Sequence, residues 1–265
     1  MSEQTAIETI ETSKKTQIDG EKDAAACMVW VGQKCRRGSG EKNVMREGVL
    51  NIDVTSGSMK LLGSARVPAK ILSPMTVGPM IDADGSVSQT VEGGWQGGKV
   101  YRSAGHMSAQ RPEKPTEKWY ALRAKMHAMV KGKRRSLPRK QYGVPCTAFY
   151  NGRWYGYVES RCEIYVHAYY HAIKNSPAIA EMRKMVADGQ KIMIIDNDGP
   201  PRALYPNGLA LDAESWRALI LNPRYMFGHG YVVAALVAGL PESVILGVRA
   251  PTDAQSLCGK RQRHE

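Results

Sequence analysis

Apolar and polar positions begin to follow a pattern at position 27. Cys27-Met-Val-Trp-Val31 is an apolar run that predicts a first buried strand, and 49–54 alternates with the period of a second. Over 71–87, two prolines and Asp84-Gly85 divide the chain into short strands with a hairpin. The spacing predicts a helix over 90–102. From 117 onward Trp119, Leu122, Met126 and Met129 or Val130 form the apolar stripe of another. Segments 146–150 and 153–158 flank Asn151-Gly152, the chemistry of a two-residue hairpin turn. Residues 159–173 read as helix, 176–188 as a helix opened by Ser176-Pro177, and 191–196 as an interior strand. The helix over 211–221 carries Asp212 as a cap, and 231–239 is a short, strongly apolar helix. These elements predict an α+β fold, a small mixed sheet surrounded by helices, in one domain over 26–250. Residues 1–25 hold almost no large apolar side chain and read as a disordered extension, and 251–265 as a flexible basic tail.

At 265 residues with 43% hydrophobic content, the chain can bury a substantial core. It has no run of 18 or more apolar residues and no signal-peptide core, so a soluble cytoplasmic protein without a membrane partner is expected. Five cysteines, Cys27, Cys35, Cys146, Cys162 and Cys258, contain no CxxC pair and read as reduced thiols, not as a zinc site or disulfide framework.

Charge narrows the choice of partner. Lys and Arg number 37 against 25 Asp and Glu, a net +12 that favours an anionic partner, nucleic acid or a phosphorylated nucleotide. The excess is concentrated: ten basic residues and no carboxylate fall between Lys118 and Val158. Their densest part, Lys131, Lys133, Arg134, Arg135, Arg139 and Lys140, reads as a phosphate-backbone contact in a loop. The neighbouring aromatics Tyr142, Phe149, Tyr150, Trp154, Tyr155 and Tyr157 suit either base stacking or the core, with the hairpin favouring the core.

Candidate chemistry centres on 90–102. In a helix, Glu92, Gln96 and Lys99 stand at i, i+4 and i+7 on one face, with Trp95 beside them. Gly93, Gly94, Gly97 and Gly98 interrupt that helix at about 1 kcal/mol each, so they either admit a ligand or pack against other protein. Asp196 and Asp198 follow the interior strand, where binding groups or a plain turn both fit. His229 between Gly228 and Gly230 opens the apolar helix, where it either meets an anion or caps a turn. Glu159, Glu163, His167 and His171 recur every fourth position, and this solvated stripe has no strong metal signature, so neither metal nor cofactor is expected.

Ile71-Leu-Ser-Pro74, a hairpin, and then Thr90-Val-Glu-Gly-Gly-Trp-Gln-Gly-Gly-Lys99 resemble the opening motif of NADAR proteins, the YbiA-like N-glycosidases, over about thirty residues. Glu92, Gln96 and Lys99 match that motif's Glu, Gln and Lys. Gly93 stands where the family commonly has His, and Tyr157-Val-Glu159 resembles a later acidic motif. The resemblance implies a compact NADAR-like domain that cleaves N-glycosidic bonds in ADP-ribose-linked or nucleotide substrates. With the basic segment, it leads to an expected N-glycosidase acting on a modified or ADP-ribosylated base of nucleic acid, DNA before RNA. Glu92, Lys99 and Glu159 are then the catalytic candidates, and Trp95, Gln96, Asp196 and His229 the substrate contacts. A non-catalytic nucleic-acid-binding protein and a glycosidase of free nucleotides are the alternatives.

Overall fold

The computed structural model describes residues 27–35, 43–132, 138–224 and 226–250. The expected extension over 1–25, the tail over 251–265, and Lys133, Arg134 and Arg135 of the basic loop lie outside the described residues.

A four-stranded mixed sheet runs in the order β11 (Leu209–Ala210), β1 (Val29–Gln33), β10 (Ile192–Asp196), β2 (Leu50–Asp53). β1 and β2 flank β10 in parallel, and β11 is antiparallel on the β1 edge. Register sets Gln33 beside Asp196 and Asp53 beside Ile195, so these side chains share the carboxyl end of the sheet. β10 is buried throughout, as a parallel strand covered on both faces must be, and its unbroken apolar run supplies that cover. Val29, Val31, Ile192 and Ile194 join the main core on one face, whereas Trp30, Met193 and Ile195 form a smaller cluster with Val44 on the other.

Residues 157–173 form one continuous helix: α4 (Tyr157–Ser160), a π segment (Arg161–Val166) and α5 (His167–Ile173). In α6 (Pro177–Ala187), Ser176 Oγ accepts the Ala178 N–H at 3.3 Å. In α7 (Ala213–Leu221), the Asp212 carboxylate accepts the Ser215 N–H at 2.7 Å. α8 (His229–Val237) is buried in every residue and packs on the sheet, with α9 (Glu242–Leu246) following.

The middle of the chain builds a second layer. After the short antiparallel pair β3 (Leu61–Leu62)/β4 (Val67–Pro68), the hairpin β5 (Met80–Ile81)/β6 (Val87–Ser88) leads into α1 (Val91–Gly97), and β7 (Lys99–Val100) pairs with β8 (Thr147–Tyr150), which pairs with β9 (Arg153–Tyr155). Asn151 and Gly152 take φ of 51° and 75°, as a two-residue hairpin turn with the twist of its strands requires. α2 (Glu117–His127) buries Trp119 and Met126. Arg123 on α2 clamps the β5/β6 turn through Asp82 at 2.5 Å and Asp84 at 2.9 Å. Val130 is exposed because α2 ends at His127, before the stripe reaches it. The short α3 (Pro138–Tyr142) carries Arg139 and Lys140.

Arg139 and Lys140, expected in a loop, stand on α3, and Tyr157 and Val158, expected at the end of a strand, open α4. A third stretch departs further. The helix expected over 90–102 stops at Gly97, and Lys99 opens a strand instead of completing a third helical turn. The Phe149 N–H donates to the Gly98 carbonyl at 2.8 Å, and a Cβ on Gly98 would lie 2.0 Å from Tyr150 Cζ. Only a glycine lets the chain turn from helix into strand that close to the Tyr150 ring.

Candidate functional site

α1 is short and glycine-rich, so its neighbours must hold it. Thr90 Oγ1 caps it by accepting the Gly93 N–H at 2.9 Å, and Ser88 Oγ donates to the Thr90 carbonyl at 2.8 Å. A Cβ on Gly93 would lie 2.6 Å from the Met126 carbonyl oxygen, one on Gly94 2.4 Å from Met80 Sδ, and one on Gly97 2.9 Å from the His127 ring. The glycines therefore bring α1 against α2 and the β5/β6 hairpin, and the surface they meet is protein.

The other side of α1 carries the chemistry. Gln96 Nε2 donates to Glu92 Oε1 at 2.9 Å, both residues are buried, and Gln96 Oε1 has no hydrogen-bond partner among the described residues. Lys99 reaches back from β7 with its ammonium 4.7 Å from the centre of the Trp95 ring. Trp95 is held by Tyr150, whose hydroxyl donates to the Trp95 carbonyl at 2.7 Å, and it tilts onto Tyr165 at 5.0 Å. Tyr165 stacks on Tyr169 at 5.9 Å and 3°, and Tyr169 meets the His229 ring edge-on at 5.9 Å. An aromatic wall thus runs from α1 to the start of α8.

Asp196 closes the far end of that wall. Its Oδ1 accepts the Asn197 N–H at 2.7 Å, and its Oδ2 accepts the Gly230 N–H at 2.8 Å and lies 3.2 Å from His229 Nδ1. A Cβ on Gly228 would lie 2.1 Å from that oxygen. The anion at the α8 N-terminus is therefore Asp196 itself, and the glycines make room for it. His229 Nε2 lies 3.1 Å from the Val54 carbonyl oxygen, so the imidazole is fixed at both nitrogens.

Electrostatics join the two ends. Burial pushes the Lys99 amine below its ordinary range, Glu92, Tyr157 and Asp198 oppose that shift, and Arg139 adds to it. Burial pushes the Asp198 carboxyl up, Asp196 and Glu92 push it further, and His229 and Arg139 oppose. Glu92, Lys99, Asp198 and Arg139 therefore act on one another across three separated parts of the sequence. Such a cluster holds one carboxyl that keeps its proton readily and one amine that gives its proton up readily, a pairing suited to proton transfer.

The basic segment flanks this cluster. Arg139 Nη1 lies 2.8 Å from Met226 Sδ, next to Phe227, which meets Tyr165 edge-on at 6.4 Å. At the loop's other end Lys131 Nζ donates to the Gly78 carbonyl at 3.3 Å and the Gly132 N–H to the Met75 carbonyl at 2.8 Å, beside the Pro74 carbonyl that accepts the Glu92 N–H. Lys140 is exposed on α3. Of the aromatic neighbours, Phe149, Tyr150 and Tyr155 are buried core.

Glu159 is engaged elsewhere. Its carboxylate accepts the Gly156 N–H at 3.0 Å and pairs with Arg153 at 2.8 Å, which makes it the cap of α4. Glu163 also pairs with Arg153, at 3.0 Å, while His167 Nε2 lies 3.3 Å from the Leu246 carbonyl oxygen. No group of three or more potential metal ligands converges among the described residues.

Sequence reasoning did not single out Tyr165, Tyr169 or Phe227. The signal for the first two was present as an i, i+4 tyrosine pair on the buried face of the helix whose other face carries the Glu/His stripe. Comparison of the chain with protein-family models, curated proteins and solved structures gives no match.

Proposed function

We propose that the chain is an N-glycosidase that hydrolyses the base–sugar bond of a modified or ADP-ribosylated base in nucleic acid, with Glu92, Gln96, Lys99 and Asp198 as its working groups. The observation that carries this reading is geometric: Gln96 Nε2 holds Glu92 Oε1 at 2.9 Å with the buried Gln96 Oε1 unpartnered among the described residues, beside a Lys99 ammonium 4.7 Å from the centre of the Trp95 ring. The likeness of Glu92, Gln96 and Lys99 to the NADAR motif supports it, and the chain is read as a distant relative of that family. Gly93 replaces the family's histidine, and a side chain there would strike the Met126 carbonyl, so this chain makes no substrate contact from position 93.

In the proposed reaction the C–N bond breaks with its electron pair going to the base. Asp198 supplies the proton that the leaving base takes up. The Glu92 carboxylate stabilises the positive charge that builds on the sugar and then accepts a proton from the water whose oxygen bonds to the sugar carbon. The Lys99 amine, with its lowered affinity for a proton, is the second group able to exchange one at this place. Gln96 holds Glu92 by its amide and offers its free carbonyl to a donor on the substrate. A base within a duplex would leave the stack to reach these groups. Arg139 and Lys140 carry the phosphate backbone at the edge.

Alkali-labile sites in DNA treated with the full chain, or ADP-ribose set free from ADP-ribosylated DNA, test the reading. They are expected with the wild type and absent with Glu92→Gln. Equal yields from the two proteins would refute it.

A further inference from the structure

α2 floors a recess of about 330 Å³. Lys118, Ala121, Leu122 and Lys125 share one helical face at i, i+3, i+4 and i+7, so an ammonium stands at each end of an apolar floor. His106 and Tyr142 line the wall, and no carboxylate does. Neither lysine makes an ion pair among the described residues.

His106 makes this more than a patch of surface charge. It is 2% exposed and locked in place: the Tyr101 N–H donates to its Nδ1 at 3.3 Å, the Thr116 N–H to its carbonyl at 3.0 Å, and its ring packs edge-on against Tyr101 at 5.9 Å and Tyr142 at 6.0 Å. Since Nδ1 accepts, the ring proton sits on Nε2, and that N–H makes no hydrogen bond to the described residues. Burial, and then Lys118, hold the imidazole below its ordinary titration range, which keeps it a neutral donor. The imidazole lines the recess together with two ammonium groups that make no ion pair among the described residues.

We propose that this recess is a phosphate-binding site, in which His106 Nε2–H, Lys118 and Lys125 hold one phosphate group. Tyr142 belongs to α3, the helix that also carries the exposed Arg139 and Lys140, and its ring tilts onto Tyr101 at 5.7 Å. A polynucleotide bound along α3 would place a phosphate here. The binding does not depend on any bond being cleaved, and the following measurements read binding alone.

Two titrations of the full chain decide it. Inorganic phosphate, added at constant ionic strength against chloride, is expected to shift the His106 ring resonances in nitrogen–proton correlation spectra. Lys118→Gln with Lys125→Gln is expected to weaken binding of a fluorescein-labelled oligodeoxythymidine about tenfold and to lower the slope of log affinity against log salt by about 0.7 for the single phosphate lost. The charge-matched pair Lys184→Gln with Lys191→Gln is expected to leave both unchanged. These substitutions are on the surface and spare the fold, whichever way His106 variants behave. His106 resonances that ignore phosphate would overturn the proposal. A phosphate response with unchanged oligonucleotide affinity would support the site and assign it to free phosphate or a nucleotide.

Discussion

Gln96 Nε2 donates to Glu92 Oε1 at 2.9 Å across one turn of α1, and the same bond fixes the Gln96 amide so that its buried Oε1 has no partner among the described residues. A side chain held with an unmet acceptor is poised for a ligand N–H or O–H, because that group gains a hydrogen bond without the protein rearranging.

Gln96→Met, which keeps the volume and removes the acceptor, is therefore expected to lower kcat/KM for base release by about tenfold to a hundredfold, the worth of one buried hydrogen bond. The urea midpoint should move little, because the orphan carbonyl's own burial cost disappears with it. Unchanged kcat/KM would show that substrate never meets Oε1.

Gly93→Ala sets two effects against each other. Alanine gains about 1 kcal/mol in helix propensity. Its Cβ, however, would lie 2.6 Å from the Met126 carbonyl oxygen, a backbone atom that cannot swing aside, and such overpacking costs about 1–3 kcal/mol. A net loss of up to about 2 kcal/mol in chemical denaturation is expected. A stabilised variant would show that the space beside position 93 is open.

The two aspartates after β10 should behave oppositely. Asp196→Ala strips acceptors from the Asn197 and Gly230 N–H groups and removes the partner of His229 Nδ1, so a loss of about 3 kcal/mol is expected. Burial raises the pKa of Asp198 in the folded chain, so its stabilising contribution is present below the ordinary carboxyl value of 3.8 and is lost as pH rises through the folded value. Asp198→Asn should accordingly be at least as stable as the wild type at neutral pH while losing base release. Urea titrations of both variants at two pH values check the contrast.

Lys99 has the reverse linkage. Its folded pKa is depressed below 10.5, so its contribution is present above that value and is lost as pH falls through the folded pKa. Lys99→Met should be the more stable protein at neutral pH, and the gap should close as pH rises towards 10.5. Parallel stability curves for the two proteins across that window would mean that the amine is not desolvated.

Local chemistry made much of this readable in the sequence. The unbroken run at 192–195 could only be a covered strand, Ser176 and Asp212 announced their helices, Asn151-Gly152 announced its turn, and the i, i+4 spacing of Glu92 and Gln96 put them in contact. What was not readable depended on partners distant in the chain. Lys99 leaves the helix because Tyr150 crowds Gly98, and the four glycines serve α2, Met80 and Tyr150, which no spacing within 90–102 could reveal. His229 looked like a receptor for an outside anion because Asp196, thirty-three positions earlier, was not known to fill that place. Tyr165 and Tyr169 were overshadowed by a glutamate and histidine stripe whose members turn out to cap α4 and to meet Arg153 and the Leu246 carbonyl.

The most direct measurement is mass spectrometry of the small molecules released when the full chain is incubated with DNAs carrying differently modified bases. A free base or a base-linked fragment is expected from at least one of them with the wild type, and a yield lower by about 10²–10³-fold with Glu92→Gln at undiminished DNA binding. Release that survives Glu92→Gln, or no release from any modified DNA, would contradict the account.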